Sequence, residues 1–232
     1  MEYKKPIVIF YHTYLVGNFK LLIHEQLMKV FTSGLYDASD IIYIGITAHD
    51  DANINWLLNL IAGYSKIKPL VYEENFAEKS TLRYLAHEMS NTDAYVLYFM
   101  TKNVLTNTKV DYNQILKNEM WRISMEYHVI DRWRDCVQHL EDGFDSVGIN
   151  YVPYSHVGNH QHFSGNFWWS KSSHINTLDH NYLYDENLLG AQNPLLAEFW
   201  IGSNPNWKYK NMFFCGEIAP YRKETTFREY IK

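Results

Sequence analysis

Cysteine is nearly missing from this chain: Cys136 and Cys215 are the two among 232 residues. That excludes a disulfide framework and leads one to expect a reducing compartment, the cytoplasm, with both thiols packed rather than nucleophilic. An excess of positive charge is missing too. A net charge of −5 and a pI near 6.1 supply no broad field for a phosphate backbone or an anionic membrane, so nucleic-acid binding is not expected, although a local basic pocket stays compatible with both values. No apolar run approaches the roughly 18 residues needed to span a bilayer. The opening Met1-Glu2-Tyr3-Lys4-Lys5-Pro6 leads into only a short apolar strand, unlike a signal peptide. Repeats and low-complexity linkers are absent as well. The length fits one large domain, 1–232, with a sizeable core.

What remains is an alternation of apolar runs and helical periodicities. Ile7 to His12 is compact and β-branched, and it precedes Gly17-Asn18 and a helical pattern through Leu21, Leu22, Leu27, Met28 and Phe31. Gly34 stands where a helix C-cap belongs. Further strands are expected at Ile41 to Thr47, Pro69 to Tyr72 and Tyr95 to Met100, separated by helices over Asn53 to Ala62 and Ala77 to Met89. Such a βα alternation implies right-handed crossovers, a mostly parallel sheet flanked by helices in a Rossmann-like α/β fold, and a ligand crevice at the strands' carboxyl ends. The second half is less regular. One long helix is expected over Tyr112 to Leu140, a strand over Ser146 to Ile149, a loop over Pro153 to Gln161 and an extended segment over His162 to Trp169. Short helices follow, with turns at Asn193-Pro194 and Asn204-Pro205 and a last helix near Glu224 to Ile231.

The most informative stretch is His162-Phe163-Ser164-Gly165-Asn166-Phe167-Trp168-Trp169, which sets small hydrogen-bonding residues beside large aromatics. Gly165 permits close approach, Ser164 and Asn166 can serve hydroxyl groups, and an indole face can cover the C–H face of a sugar. The same run also reads as a buried aromatic strand after a glycine turn. If extended, it points Trp168 and Trp169 to opposite faces, so that one lines a cleft while the other packs in the core. Three loops should meet at the sheet's carboxyl edge: His12-Thr13-Tyr14, Ala48-His49-Asp50-Asp51 and Thr101-Lys102-Asn103. There His12 or Tyr14 can meet a base, while Thr101 and Lys102 offer a hydroxyl and a fixed charge to a diphosphate.

Taken in order, Phe10 to Val16, Ser33 to Asp37, Glu78-Lys79-Ser80-Thr81-Leu82, Tyr98 to Asn103, Trp121-Arg122-Ile123-Ser124-Met125 and His162 to Trp169 resemble the motifs of a GT-A-type glycosyltransferase family of bacteria and large viruses, over roughly residues 7 to 200. The family pattern has Tyr-Leu-His-Thr-Lys-Gly at a central strand end, where this chain has Met100 for the histidine and Asn103 for the glycine. The resemblance implies a nucleotide-sugar-binding half, about 1–103, and an acceptor-binding half, about 104–232. It implies hexose transfer from a nucleotide sugar, a UDP-sugar foremost, to a glycan or other hydroxyl acceptor, in surface or capsid polysaccharide synthesis.

Its implied donor site comprises His12, Tyr14, Lys79, Thr101, Lys102 and Arg122, and its sugar or acceptor site His162, Ser164, Gly165, Asn166, Trp168 and Trp169. Glu198 is the expected base, and Lys102 the group offsetting leaving-group charge. Many GT-A enzymes carry an Asp-x-Asp metal motif after the fourth strand; none occurs here, so transfer without a metal is expected, with manganese or magnesium kept as the alternative. Arg122 reads equally as an ion-pair partner, Glu198 as a surface helix carboxylate and Glu78 as a residue favoured by its helix dipole. Two rivals stay open. His156, His160 and His162, with His49-Asp50-Asp51, could form a metal site for a hydrolase, and the same aromatic cleft could hold a glycan without catalysis.

Overall fold

The computed structural model describes residues 3–72, 78–102, 111–155, 158–185, 188, 195–216 and 226–231. Strand β1 (Ile7–Tyr14) is buried along nearly its whole length, as a β-branched run in mid-sheet must be, and leads through Gly17 into α1 (Phe19–Thr32). Gly34, at φ 76°, separates α1 from a single helical turn, α2 (Leu35–Ala38). Then come β2 (Ile41–Thr47), α3 (Asp51–Ile61), β3 (Ile67–Val71), α4 (Lys79–Met89) and β4 (Tyr95–Met100). After them stand α5 (Tyr112–Glu126), α6 (Trp133–Glu141), β5 (Ser146–Gly148), β6 (Tyr151–Val152), β7 (His162–Phe163) and β8 (Trp168–Lys171). Short α7 (Ser172–Ile175), α8 (Asn181–Tyr184) and α9 (Leu196–Phe199), strand β9 (Tyr209–Asn211) and α10 (Phe227–Tyr230) complete the described elements.

Seven strands form one sheet in the order β3-β2-β1-β4-β8-β5-β9. The first four run parallel, and β8 runs antiparallel between β4 and β5, pairing Tyr98 with Trp168 and Leu97 with Trp169. Strands β6 and β7 form a separate antiparallel pair. Pro69 sits in edge strand β3, where a missing N–H costs least. The expected mostly parallel, Rossmann-like α/β sheet with helices on both faces is thus the observed fold.

Alternation along the strands divides the core in two. Ile9, Tyr11, Ile44, Leu97, Phe99 and Trp169 face α1, α3, α5 and α6, whereas Val8, Phe10, Val96, Tyr98 and Trp168 face α4 and the short helices α7 to α9. Trp168 and Trp169 do point to opposite faces, but each is 0% exposed, so both are core residues and neither offers a ring to a sugar.

Two local expectations give way to tertiary packing. The helix expected over Tyr112 to Leu140 is interrupted by a π-helical turn at Tyr127–Asp131. Side chains take up carbonyls there: the Trp169 indole donates to the Val129 carbonyl at 2.8 Å and the Cys136 thiol to that of His128. The segment His162 to Trp169 is extended only at its ends, because Gly165 (φ 99°) and Asn166 (φ 60°) fold it into a tight turn. The Asn193-Pro194 turn and Asn103 lie outside the described residues. No described helix is long and apolar enough to cross a membrane.

Trp169→Ala removes a filled core volume together with the donor to the π-turn. It should lower the unfolding free energy by about 3–5 kcal/mol, measured by urea denaturation.

Candidate active site

The candidate site is the place where β4 ends and the chain returns alongside it as β8. Thr101 is locked to the tip of β1: its N–H donates to the His12 carbonyl and its hydroxyl oxygen accepts the Tyr14 N–H, both at 2.9 Å. Lys102 follows, its ammonium 5.1 Å from the centre of the Trp121 ring. Trp121 also lies under Gly165, where a Cβ would come 2.8 Å from its ring and collide with the Met125 sulfur. Only glycine fits that closely at that φ. One indole on α5 therefore supports both the cationic strand tip and the 164–166 turn.

A second contact ties the turn to α4. The Asn166 carbonyl oxygen accepts from the Trp168 indole at 2.7 Å, which orients the amide so that its nitrogen donates to Glu78 Oε2 at 2.8 Å. The Tyr98 hydroxyl donates to that same oxygen at 3.0 Å. Glu78 precedes α4 but makes no capping bond to it; its carboxylate turns inward instead. Burial raises its pKa from the ordinary 4.5, opposed by Lys102, by the hydrogen bonds of Asn166 and Tyr98, and reinforced by the charge of Glu198. Burial and the Glu78 charge hold the Tyr98 hydroxyl well above its ordinary range, so it stays a donor. Glu198, on α9, accepts the Gly165 N–H with Oε1.

Glu78 thus takes hydrogen bonds from Tyr98 and Asn166, and the charges of Lys102 and Glu198 act on it, at the carboxyl edge of the sheet. Two of the five, Glu78 and Tyr98, escape a reading of the sequence. Glu78 looks like a helix-start residue and Tyr98 like an ordinary strand aromatic; the fold joins them directly, and the return of β8 along β4 brings Asn166 to the same Glu78 oxygen.

Other expected site residues have different places. His12 is buried, with Nδ1 2.9 Å from the Thr81 hydroxyl, and burial pushes its pKa down to about 3, so it is a neutral packing group under the sheet rather than a base-binding residue. Tyr14 remains near the edge, its hydroxyl 3.0 Å from His49 Nε2. Lys79 begins α4 beside Glu78. Asn166 is 1% exposed with both amide ends committed, so it acts on the site through Glu78 rather than by touching a sugar. The Ser164 hydroxyl makes no hydrogen bond among the described residues. His162 Nδ1 donates to the His160 carbonyl, which leaves Nε2 as an acceptor in the neutral ring.

Arg122 is not a phosphate ligand. Its guanidinium is surrounded by Glu119 at 2.5 Å, Glu126 at 2.7 Å and Glu25 at 3.0 Å. Burial alone would lower its pKa, but these carboxylates outweigh burial and raise it. Gln26 joins this cluster to the sheet, donating to Glu126 and to the Met100 carbonyl while accepting from Tyr11. Among the described residues the mixed metal site does not assemble either. Asp50 Oδ1 accepts the Ala52 N–H as the cap of α3, His49 faces Tyr14, and His160 pairs with the Tyr182 hydroxyl and stacks on Phe199. His156 lies outside the described residues, and among the described residues no three His, Cys, Asp or Glu side chains are grouped to hold a metal ion.

Residues 10–197 match the family described as "Domain of unknown function (DUF8361)", and the chain belongs to that family. No curated protein matches it. Among solved structures, it is similar to 4-diphosphocytidyl-2C-methyl-D-erythritol synthase from Anaerococcus prevotii DSM 20548, with 9% identity over 98% of this chain and 93% of that one and a TM-score of 0.50. Another 4-diphosphocytidyl-2C-methyl-D-erythritol synthase gives 10% identity over 98% and 96% and a TM-score of 0.47. S. aureus TarS 1–349 gives 8% over 89% and 60%, with a TM-score of 0.40. At 9% identity the first of these shows a likeness of fold alone: a GT-A-like, Rossmann-like sheet.

Arg122→Met should strand the fully buried Glu126 and cost about 3–5 kcal/mol by chemical denaturation, with nucleoside diphosphate affinity unchanged. Lost affinity at unchanged stability would return Arg122 to the donor site.

Proposed function

We propose that this member of the DUF8361 family is a glycosyltransferase that moves a hexose from a nucleotide-activated donor to a hydroxyl of a glycan or other acceptor, in surface polysaccharide or glycan synthesis. The observation that carries the reading is the state of Lys102. Among the described residues no carboxylate lies within ion-pair distance of its ammonium, which rests on Trp121 at a strand tip beside Glu78, whereas Arg122 is saturated by three carboxylates. A cation with no carboxylate partner among the described residues, at the carboxyl edge of a parallel sheet, suits a diphosphate, whose charge grows as the sugar leaves.

Residues 1–103 supply the donor side, with Thr101 and Tyr14 beside Lys102, and residues 104–232 supply the acceptor side. A UDP-sugar is the foremost donor. Ser164 and the Nε2 of His162, which make no hydrogen bond among the described residues, are the polar groups of the turn assigned to sugar hydroxyls. The place where many GT-A enzymes carry an Asp-x-Asp metal motif holds Thr101-Lys102 instead, and in this reading Lys102 offsets leaving-group charge without a metal ion.

A thermal-shift series with UDP, GDP and dTDP and their hexose conjugates, with and without manganese, tests the reading, since a ligand of the native state raises its stability. At least one nucleotide sugar should stabilise the protein equally with and without the metal. Lys102→Ala should weaken that binding about tenfold to a hundredfold, the worth of one charge-assisted hydrogen bond of about 1.5–3 kcal/mol. Stabilisation by a free glycan and by no nucleotide would favour a carbohydrate-binding protein, and turnover lost to a chelator would favour metal-dependent chemistry.

A further inference from the structure

Two carboxylates stand at the site, and their anchoring differs. Glu198 is 8% exposed and spends Oε1 on the backbone N–H of Gly165, so its evident work is to hold the turn. Glu78 is held by two side-chain donors on one oxygen, where Glu198 has a single backbone donor. Oε2 receives Tyr98 from β4 and Asn166 from the turn, groups 20 and 88 residues away in sequence, so two separate segments fix the carboxylate plane. Oε1 takes no hydrogen bond among the described residues and is not sealed in the interior, since Glu78 is only part-buried. The charge nearest this carboxylate in effect is that of Lys102, the proposed partner of the diphosphate.

We propose, resting on the glycosyltransferase reading, that Glu78 is the general base of the transfer and Glu198 a positioning residue. Glu78 Oε1 accepts the proton of the acceptor hydroxyl as that oxygen bonds to the anomeric carbon. The bond from the anomeric carbon to the phosphate oxygen breaks, its electron pair leaves with the nucleoside diphosphate beside Lys102, and the proton on Glu78 passes to water afterwards. The clamp suits this task because both donors bind the oxygen that does not react, holding the other in place through the proton transfer.

The same burial makes Glu78 a poor stabiliser. Its folded pKa lies above the unfolded value, so its contribution to stability is complete below the unfolded pKa and is lost as pH rises through the folded one. Its charged form is therefore a cost to the fold, as is common for groups kept for chemistry.

The experiment uses the full chain, with UDP-glucose, GDP-mannose and dTDP-rhamnose as donors, methyl glycosides as acceptors, and nucleoside diphosphate release as the readout. Glu78→Gln keeps an oxygen for Tyr98 and Asn166 but cannot take a proton. It should bind donor within about twofold of wild type and melt at or above the wild-type temperature at pH 8. It should lose kcat by about 10²- to 10⁴-fold, together with the acid limb of the kcat profile. Glu198→Gln should keep that limb. Tyr98→Phe removes a donor to the charged form, so it should move the acid limb to higher pH, a shift that a purely structural Glu78 would not produce.

Glu78→Gln with kcat within about threefold of wild type, or an acid limb that is unmoved in Tyr98→Phe and disappears in Glu198→Gln, overturns the assignment while leaving the transferase reading intact. A wild-type protein that binds no nucleotide sugar and releases no nucleoside diphosphate overturns both.

Discussion

The amide of Asn166 is the contact on which the site depends. It lies at φ 60° with the donor end on Glu78 and the acceptor end on the Trp168 indole, and it is almost wholly buried. Through it the antiparallel return strand β8, the central strand β4 and the start of α4 share one hydrogen-bonded chain: Trp168 to Asn166 to Glu78, with Tyr98 closing on the same carboxylate oxygen. A buried network of this kind is rigid when every member is satisfied and costly when one is lost. Asn and glycine are the residues that accept the left-handed backbone the turn demands, which is why Gly165 and Asn166 stand together.

Charge is distributed unevenly around the end of β4. On the α1 and α5 side, Arg122 is closed off by Glu25, Glu119 and Glu126, and the cluster ends on the Met100 carbonyl through Gln26. That network braces the end of β4 from beneath. Lys102 contrasts with it: its ammonium rests on the Trp121 ring of the same helix α5, it has no ion-pair partner among the described residues, and its charge acts on Glu78. Both cations are basic side chains near one strand end, yet their availability to an anion differs because the number of carboxylates around each differs.

Much of the fold was legible from pattern. The first four strands, their helices and the parallel order follow from β-branched runs alternating with helical periodicity, most clearly for β1 and β4, because a strand buried on both faces has few polar positions to blur the signal. Period alone also sends Trp168 and Trp169 to opposite faces. Local pattern failed where long-range contacts overrode it: the π-turn at Tyr127–Asp131, whose Val129 carbonyl is taken by Trp169 40 residues on, and the turn inside His162 to Trp169. Those same two places explain why the indoles read as a sugar platform in sequence and are core in the structure.

The chain by itself determined the α/β class, the parallel order of the first four strands and the position of Lys102 at a strand end, because each of these depends on residues near one another in sequence. Tertiary structure alone decided that Arg122 is neutralised, that His12 is buried, and that Glu78 turns from its own helix toward Tyr98 and Asn166. The physical reason is that a side chain's charge state and reach are set by what surrounds it in space, and here the surroundings come from segments 20 to nearly 100 residues away.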